Sequence, residues 1–239
     1  MFNLFVIVLF LNLGTSSFAQ NANASLDNRM ISVDDFEKKT KEPNVLIVDV
    51  RTAEEFNSGY LKGAKNIDFY AKDFEQQIIT LDKSKTILIY CLAGTRSAKA
   101  ADILKKNDFK NVYSMKGGIV KWRLNDKPII EPNPAVSTKG MTPEEFNAKI
   151  KGEKIFLVDL YAPWCPPCIK MGPIIEQVSN DLKDKIEVIK IGFDENKSLA
   201  KYLKIENFPS LFIYKNGKQV WRGDGVMQKE ELEAIIKKY

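Results

Sequence analysis

The sequence predicts an α/β protein of two domains, and three observations carry that prediction. Apolar runs of strand length alternate with helix-period segments over residues 25–130. A second apolar strand, Ile155 to Tyr161, hands a pair of cysteines to a helix within residues 141–239. Between these regions, residues 131–140 hold Pro132 and Pro134 among small polar side chains, a composition that resists helix and sheet and suits a semi-extended linker. At 239 residues with 44% apolar side chains, the chain is long enough for two ordinary cores.

Residues 1–19 differ in kind and read as a signal peptide. Met1 to Ala19 holds no charged side chain, and Phe2 to Leu13 is almost wholly apolar. About twelve apolar residues are too few to span a bilayer, which takes about 20. Ser17-Phe18-Ala19 offers the small residues that a signal peptidase reads, so cleavage is expected after Ala19, or after Ala22 or Ala24. The basic residue usual near the start is missing, and the alternative is a buried N-terminal strand or helix. No cysteine directly follows the apolar run to take a lipid. The expected mature chain is periplasmic or secreted, with no membrane span.

Within residues 25–130, Ser32 is placed to cap a helix opening Val33-Asp34-Asp35. Asn44 to Val50 is an apolar strand, and a helix follows from about Thr52. Gly59 and Gly63 precede a short segment near Asn66-Ile67, and Asp73 to Thr80 reads helical. Thr86 to Tyr90 has the apolar character of a buried strand and ends at Cys91. Ser97 to Lys106 has helical spacing, and Val112 to Met115 is a last short strand. This alternation implies a sheet covered on both faces, with ligands at the carboxyl ends of its strands. Cys91 lies at such an end.

The loop Cys91-Leu92-Ala93-Gly94-Thr95-Arg96 is the first candidate site. A short connection from buried strand to helix aims successive N–H groups inward as an anion-binding nest, and Gly94 permits a turn that other residues resist. Arg96 adds positive charge, so a thiolate or persulfide at Cys91 would be stabilised. The alternative is a small core cysteine at a strand end.

Trp164-Cys165-Pro166-Pro167-Cys168 is the second. Pro163 ends the strand, and Cys165 falls at the N-terminus of a helix beginning near Pro166, where unpaired N–H groups and the helix dipole favour a thiolate. Cys168, one turn on, is placed to close a small disulfide ring. A zinc site is a poor alternative, because the chain has three Cys and no His. A purely structural disulfide this short would constrain little chain. The pair reads as redox, which leaves Cys91 as an odd thiol in an exported protein. Asp159, the acid of the apolar strand, reads either as a buried proton acceptor for Cys168 or as a partner of Lys190.

Residues 141–239 resemble the thioredoxin family. The resemblance rests on Trp164 to Cys168, Asp159, Lys190, Pro173, Phe208-Pro209, the Lys215-Asn216-Gly217-Lys218 turn and Gly225. It implies a redox-active Cys165–Cys168 disulfide, a cis Phe208-Pro209 bond beside it, and substrate binding by Trp164 and Pro209. Pro166-Pro167 departs from the family's usual Gly-Pro, so the redox potential does not carry over.

Residues 26–130 resemble the rhodanese family of sulfurtransferases. That match runs through Asp49-Val50-Arg51, Glu55-Phe56, Gly59 to Ile67, Cys91-x-x-Gly94-x-Arg96-Ser97 and Gly117 to Trp122. It implies that Cys91 accepts sulfur from a sulfane-sulfur donor such as thiosulfate or a persulfide. The donor would be held by Arg96 and the loop amides, at Gly94 and Thr95. Tyr60 stands where that family usually has His. Asp49 and Arg51 read as scaffold. Related phosphate-binding folds use a loop one residue longer, so the Cys-x4-Arg spacing favours sulfur transfer.

The expected function is therefore an exported thiol-disulfide oxidoreductase coupled to sulfur transfer. Cys91 would form the persulfide, Cys165 and Cys168 would reduce it, and an external electron-donor protein would resupply the pair. The alternative is a general reductase or oxidase of protein disulfides, with the first domain a binding or sensing module. No cofactor or metal is expected. With 36 basic and 31 acidic residues, split 19 and 16 over residues 20–134 and 17 and 15 over 135–239, neither half suggests nucleic acid.

Overall fold

The computed structural model describes residues 29–131 and 140–239. The leader and nearly all of the linker expected above lie outside the described residues.

The first sheet is wholly parallel, in the order β1-β5-β4-β2-β3. Its chain order is β1 (Met30–Ile31), α1 (Val33–Lys39), β2 (Val45–Asp49), α2 (Ala53–Asn57), β3 (Lys65–Asn66), α3 (Phe74–Ile79), β4 (Thr86–Tyr90), α4 (Thr95–Lys106), β5 (Val112–Met115) and α5 (Gly118–Leu124). Side chains alternate along the central strand β4. Ile87 and Ile89 join one core with Ala100 and Leu104 of α4, while Leu88 and Tyr90 join the other with Phe36 of α1 and Trp122 of α5. The apolar run of β4 therefore has its cause in burial from both sides.

The second sheet has the order β7-β6-β8-β9, with β6 parallel to β7 and the other pairings antiparallel. It is built from α6 (Pro143–Lys149), β6 (Ile155–Tyr161), α7 (Pro166–Asp181), β7 (Ile186–Gly192), α8 (Lys197–Tyr202), β8 (Ser210–Lys215), β9 (Lys218–Asp224) and α9 (Lys229–Ile236). The β8–β9 turn holds Asn216 and Gly217 at φ of 51° and 74°, as a two-residue hairpin loop requires. Central β6 again feeds two cores, with Phe156, Val158 and Leu160 on one face and Leu157 on the other.

Helix starts follow local chemistry. Thr52 and Thr142 each open a capping box, with Glu55 and Glu145 bonding back to the capping residue's N–H. Ser32 caps α1 through the N–H of Asp35. Three elements of the first domain differ from the sequence reading, the two-residue strand β1 having no counterpart in it. Helix α4 begins at Thr95 rather than Ser97, which moves Arg96 from the loop into the first helical turn. Helix α5 was not anticipated, because its seven residues open with a glycine after Gly117 and include β-branched Ile119 and Val120.

Candidate active site

Cys91 stands at the carboxyl end of β4, as the pattern predicts. Its Sγ accepts the N–H of Gly94 at 3.1 Å. Gly94 has φ of 100°, the left-handed region, and so reverses the chain into α4. The loop is held from behind by α5, whose first N–H groups donate outward: Ile119 to the Cys91 carbonyl (2.9 Å) and Val120 to that of Leu92 (3.1 Å). Gly118, at φ of 56°, admits this approach, since a Cβ there would collide with both carbonyls.

Arg96 does not stand free beside the thiol. It forms a two-pronged ion pair with Glu55, both N–H···O distances being 2.7 Å. Burial works against the Glu55 carboxylate, but the Arg96 hydrogen bonds and the Thr52 N–H outweigh it and hold Glu55 below the usual range. The loop thus sets the Cys91 thiol against a backbone N–H, with the charge of Arg96 paired off by Glu55. Glu55 is the residue whose partner sequence reasoning missed. Its signal was present in the capping box begun by Thr52, which aims Glu55 inward. Asp49 and Arg51 form a fully buried pair at 2.6 Å, and Arg51 also donates to the Gly59 carbonyl, a scaffold arrangement.

In the second domain Cys165 caps α7, and its Sγ accepts the Cys168 N–H at 3.3 Å. Pro166 and Pro167 have no N–H, so Cys168 is the first residue of the helix able to donate there. The two cysteines are disulfide-bonded. Asp159 is buried on β6, and its Oδ1 has no hydrogen-bond partner among the described residues. Burial pushes its carboxyl up to about 6, against a smaller opposing pull from Lys190. The two residues are cross-strand neighbours, yet no ion pair joins them among the described residues.

Trp164 packs edge-on to Phe193 and Phe208 and donates its Nε1–H to Asp194 at 3.0 Å. The Phe208–Pro209 bond is cis, as the resemblance implied. Trp164 is also covered from the other domain, where the Arg123 guanidinium stands 4.4 Å from its ring centroid.

The two cysteine sites face one cleft of about 750 Å³. Cys91, Thr95 and Arg96 line one side, and Trp164, Pro166 and Pro167, which flank Cys165, line the other. Among the described residues no cluster of three His, Cys, Asp or Glu side chains could hold a metal ion, and no helix is long and apolar enough to cross a membrane.

An α/β chain with a cysteine cradle on one sheet edge and a Cys-x-x-Cys helix on another defines a two-domain protein of sulfur chemistry. Comparison agrees domain by domain. The rhodanese-like domain profile matches residues 32–125, and the thioredoxin profile matches residues 137–238. The chain is 37% identical over 100 residues to thioredoxin of Alicyclobacillus acidocaldarius, covering 42% of this chain and 95% of that one. It is 33% identical over 98 residues to thioredoxin of Bacillus subtilis, covering 41% and 93%. With thioredoxin Y, chloroplastic, of Oryza sativa, it shares 42% identity over 98 residues, spanning 41% of this chain and 58% of the rice protein. The chain belongs to the thioredoxin family through its second domain, which follows a rhodanese-like domain.

Proposed function

We propose that the protein is an exported thiol-disulfide oxidoreductase that reduces sulfane sulfur delivered by its own first domain. The observation that supports this reading is the shared cleft, with Cys91 on one wall and the neighbours of Cys165 on the other. Cys91 thiolate attacks the sulfane sulfur of a donor such as thiosulfate. The donor's S–S bond breaks, sulfite leaves, and Cys91 carries a persulfide. Cys165 thiolate then attacks the outer sulfur, freeing Cys91 thiolate and forming a persulfide on Cys165. Cys168, losing its proton to Asp159, attacks the Cys165 sulfur and expels hydrosulfide. The two electrons that reduce the sulfane sulfur come from the dithiol, which ends as the Cys165–Cys168 disulfide. A dithiol electron-donor protein restores it. Gly94 and Thr95 hold the donor through backbone N–H groups, Arg96, paired with Glu55, orients the loop, and Trp164 and Pro209 bound the acceptor side.

One observation favours the second reading, a protein-disulfide oxidoreductase with a binding module. The Glu55–Arg96 pair leaves the cradle little net charge for an anionic donor. A single variant separates the two. With the pair first reduced, Cys91→Ser is expected to abolish thiosulfate-dependent oxidation of Cys165–Cys168, followed by thiol titration. Oxidation at the wild-type rate would eliminate the coupled reading. N-terminal sequencing of the protein recovered from cells tests export, and a start at Met1 would refute it.

A further inference from the structure

The contact between the domains governs what can reach Cys165. Trp164, Cys165 and Phe208 are only 6%, 1% and 8% exposed. The first domain contributes to that cover: Val120 of α5 belongs to the same apolar cluster, with Leu92 and Leu124 packed against it, and Arg123 stands over the Trp164 ring. Arg123 is the polar centre of the contact. Its side chain is 4% exposed, stands over the Trp164 ring, and lies 3.7 Å from Asp194, the same carboxylate that accepts the Trp164 N–H. Within its own domain Arg123 is braced by Glu131 at 2.8 Å and by the Ser58 carbonyl at 3.1 Å. At the rim, Lys197 of α8 pairs with Asp126 at 3.3 Å.

Disulfide exchange requires the attacking and attacked sulfurs to meet directly, so a polypeptide substrate must lie on Cys165 itself. The Trp164 side of that surface is already covered by α5 and its flanking residues. What stays open is the cleft beside it, whose volume of about 750 Å³ suits a small ligand. Lys99 and Lys170 are among its lining residues, on opposite domains.

We infer that the docked first domain is the specificity element of the redox pair. The closed molecule admits small anionic sulfur species through the cleft and excludes polypeptide disulfides, and Arg123 is the positioning residue that holds it closed. This rests on reading Cys165–Cys168 as the redox pair, but not on persulfide formation at Cys91. Polypeptide partners, the electron-donor protein included, reach Cys165 only in the undocked fraction, so their apparent rate scales with that fraction.

The test uses the full chain as wild type, Arg123→Ala and Asp194→Lys, the last on a turn after β7 where it would face Arg123 with like charge. Insulin disulfide reduction, with dithiothreitol as electron source, is compared with thiosulfate-dependent oxidation of the prereduced pair. Insulin reduction is expected to rise about tenfold or more in the variants while thiosulfate-dependent oxidation falls. Opposite movement of the two rates separates undocking from unfolding, which lowers both. Insulin rates no higher than wild type in both variants overturn the inference. If thiosulfate never oxidises the wild-type pair but insulin reduction still rises in the variants, the sulfur-coupling reading falls and this one stands.

Discussion

At the scale of single residues, Asp159 has the clearest physical signature. Its carboxyl is buried with one oxygen unpartnered, and its pKa rises from 3.8 to about 6. Between those values the folded protein binds more protons than the unfolded chain, so stability falls as pH rises through that window and is flat above it. The difference amounts to about 3 kcal/mol. Asp159→Asn, which carries no charge to desolvate, is therefore expected to raise the urea midpoint at pH 7.5 by a corresponding amount and to leave it little changed at pH 4. Equal effects at both pH values would mean that desolvation is not what Asp159 costs. The acid was visible in the sequence as the lone charge in an apolar strand. Its lack of an ion pair with Lys190 was not, because cross-strand register places backbones and leaves long side chains free to turn outward. Arg96 teaches the converse. Its place after Cys91 was plain in the motif, but its partner Glu55 comes from 41 residues earlier, and only the fold brings them together.

At the scale of elements, the Cys91 loop is set between two helix N-termini. Helix α4 receives it through Gly94, and α5 clamps its carbonyls from outside. The critical position is Gly118, where φ is 56° and a side chain would strike the carbonyls of Cys91 and Leu92. Gly118→Ala is expected to destabilise the first domain by about 2 kcal/mol or more, from left-handed strain and displaced backbone together. It should also sharply reduce sulfur transfer from thiosulfate to cyanide. Urea unfolding and that assay check the two halves, and a variant with wild-type values in both would contradict the clamp. The helix itself escaped sequence reading because it is short and its first donors serve another loop rather than a capping side chain. β4 and α7 were legible, since β4 is an unbroken apolar run bounded by Cys91 and α7 opens on the two prolines after Cys165.

For the whole molecule, the relation between the domains matters more than either fold alone. Trp164 reports on it directly, because its indole is enclosed by Phe193, Phe208 and Arg123. Undocking exposes the ring to water. Arg123→Ala is expected to shift the Trp164 component of native fluorescence to longer wavelength, measured as the difference from the same protein carrying Trp164→Phe. An unchanged Trp164 component would mean that Arg123 does not hold the domains together. The sequence indicated two domains joined by a semi-extended spacer. It held no sign that α5 would lie across the second site, since Val120, Arg123 and Leu124 read as an ordinary segment of the first domain.

The sequence by itself determined most of the first sheet, the Ser32-capped helix, the strand before Cys165, Cys91 at a strand end and Cys165 at a helix start. Each of these depends on local propensity or on burial that leaves a periodic trace. Tertiary structure alone decided that Glu55 neutralises Arg96, that one Asp159 oxygen has no hydrogen-bond partner among the described residues, and that the first domain covers Trp164. Those outcomes depend on side chains distant in sequence meeting in space, and no periodicity in the chain encodes such a meeting.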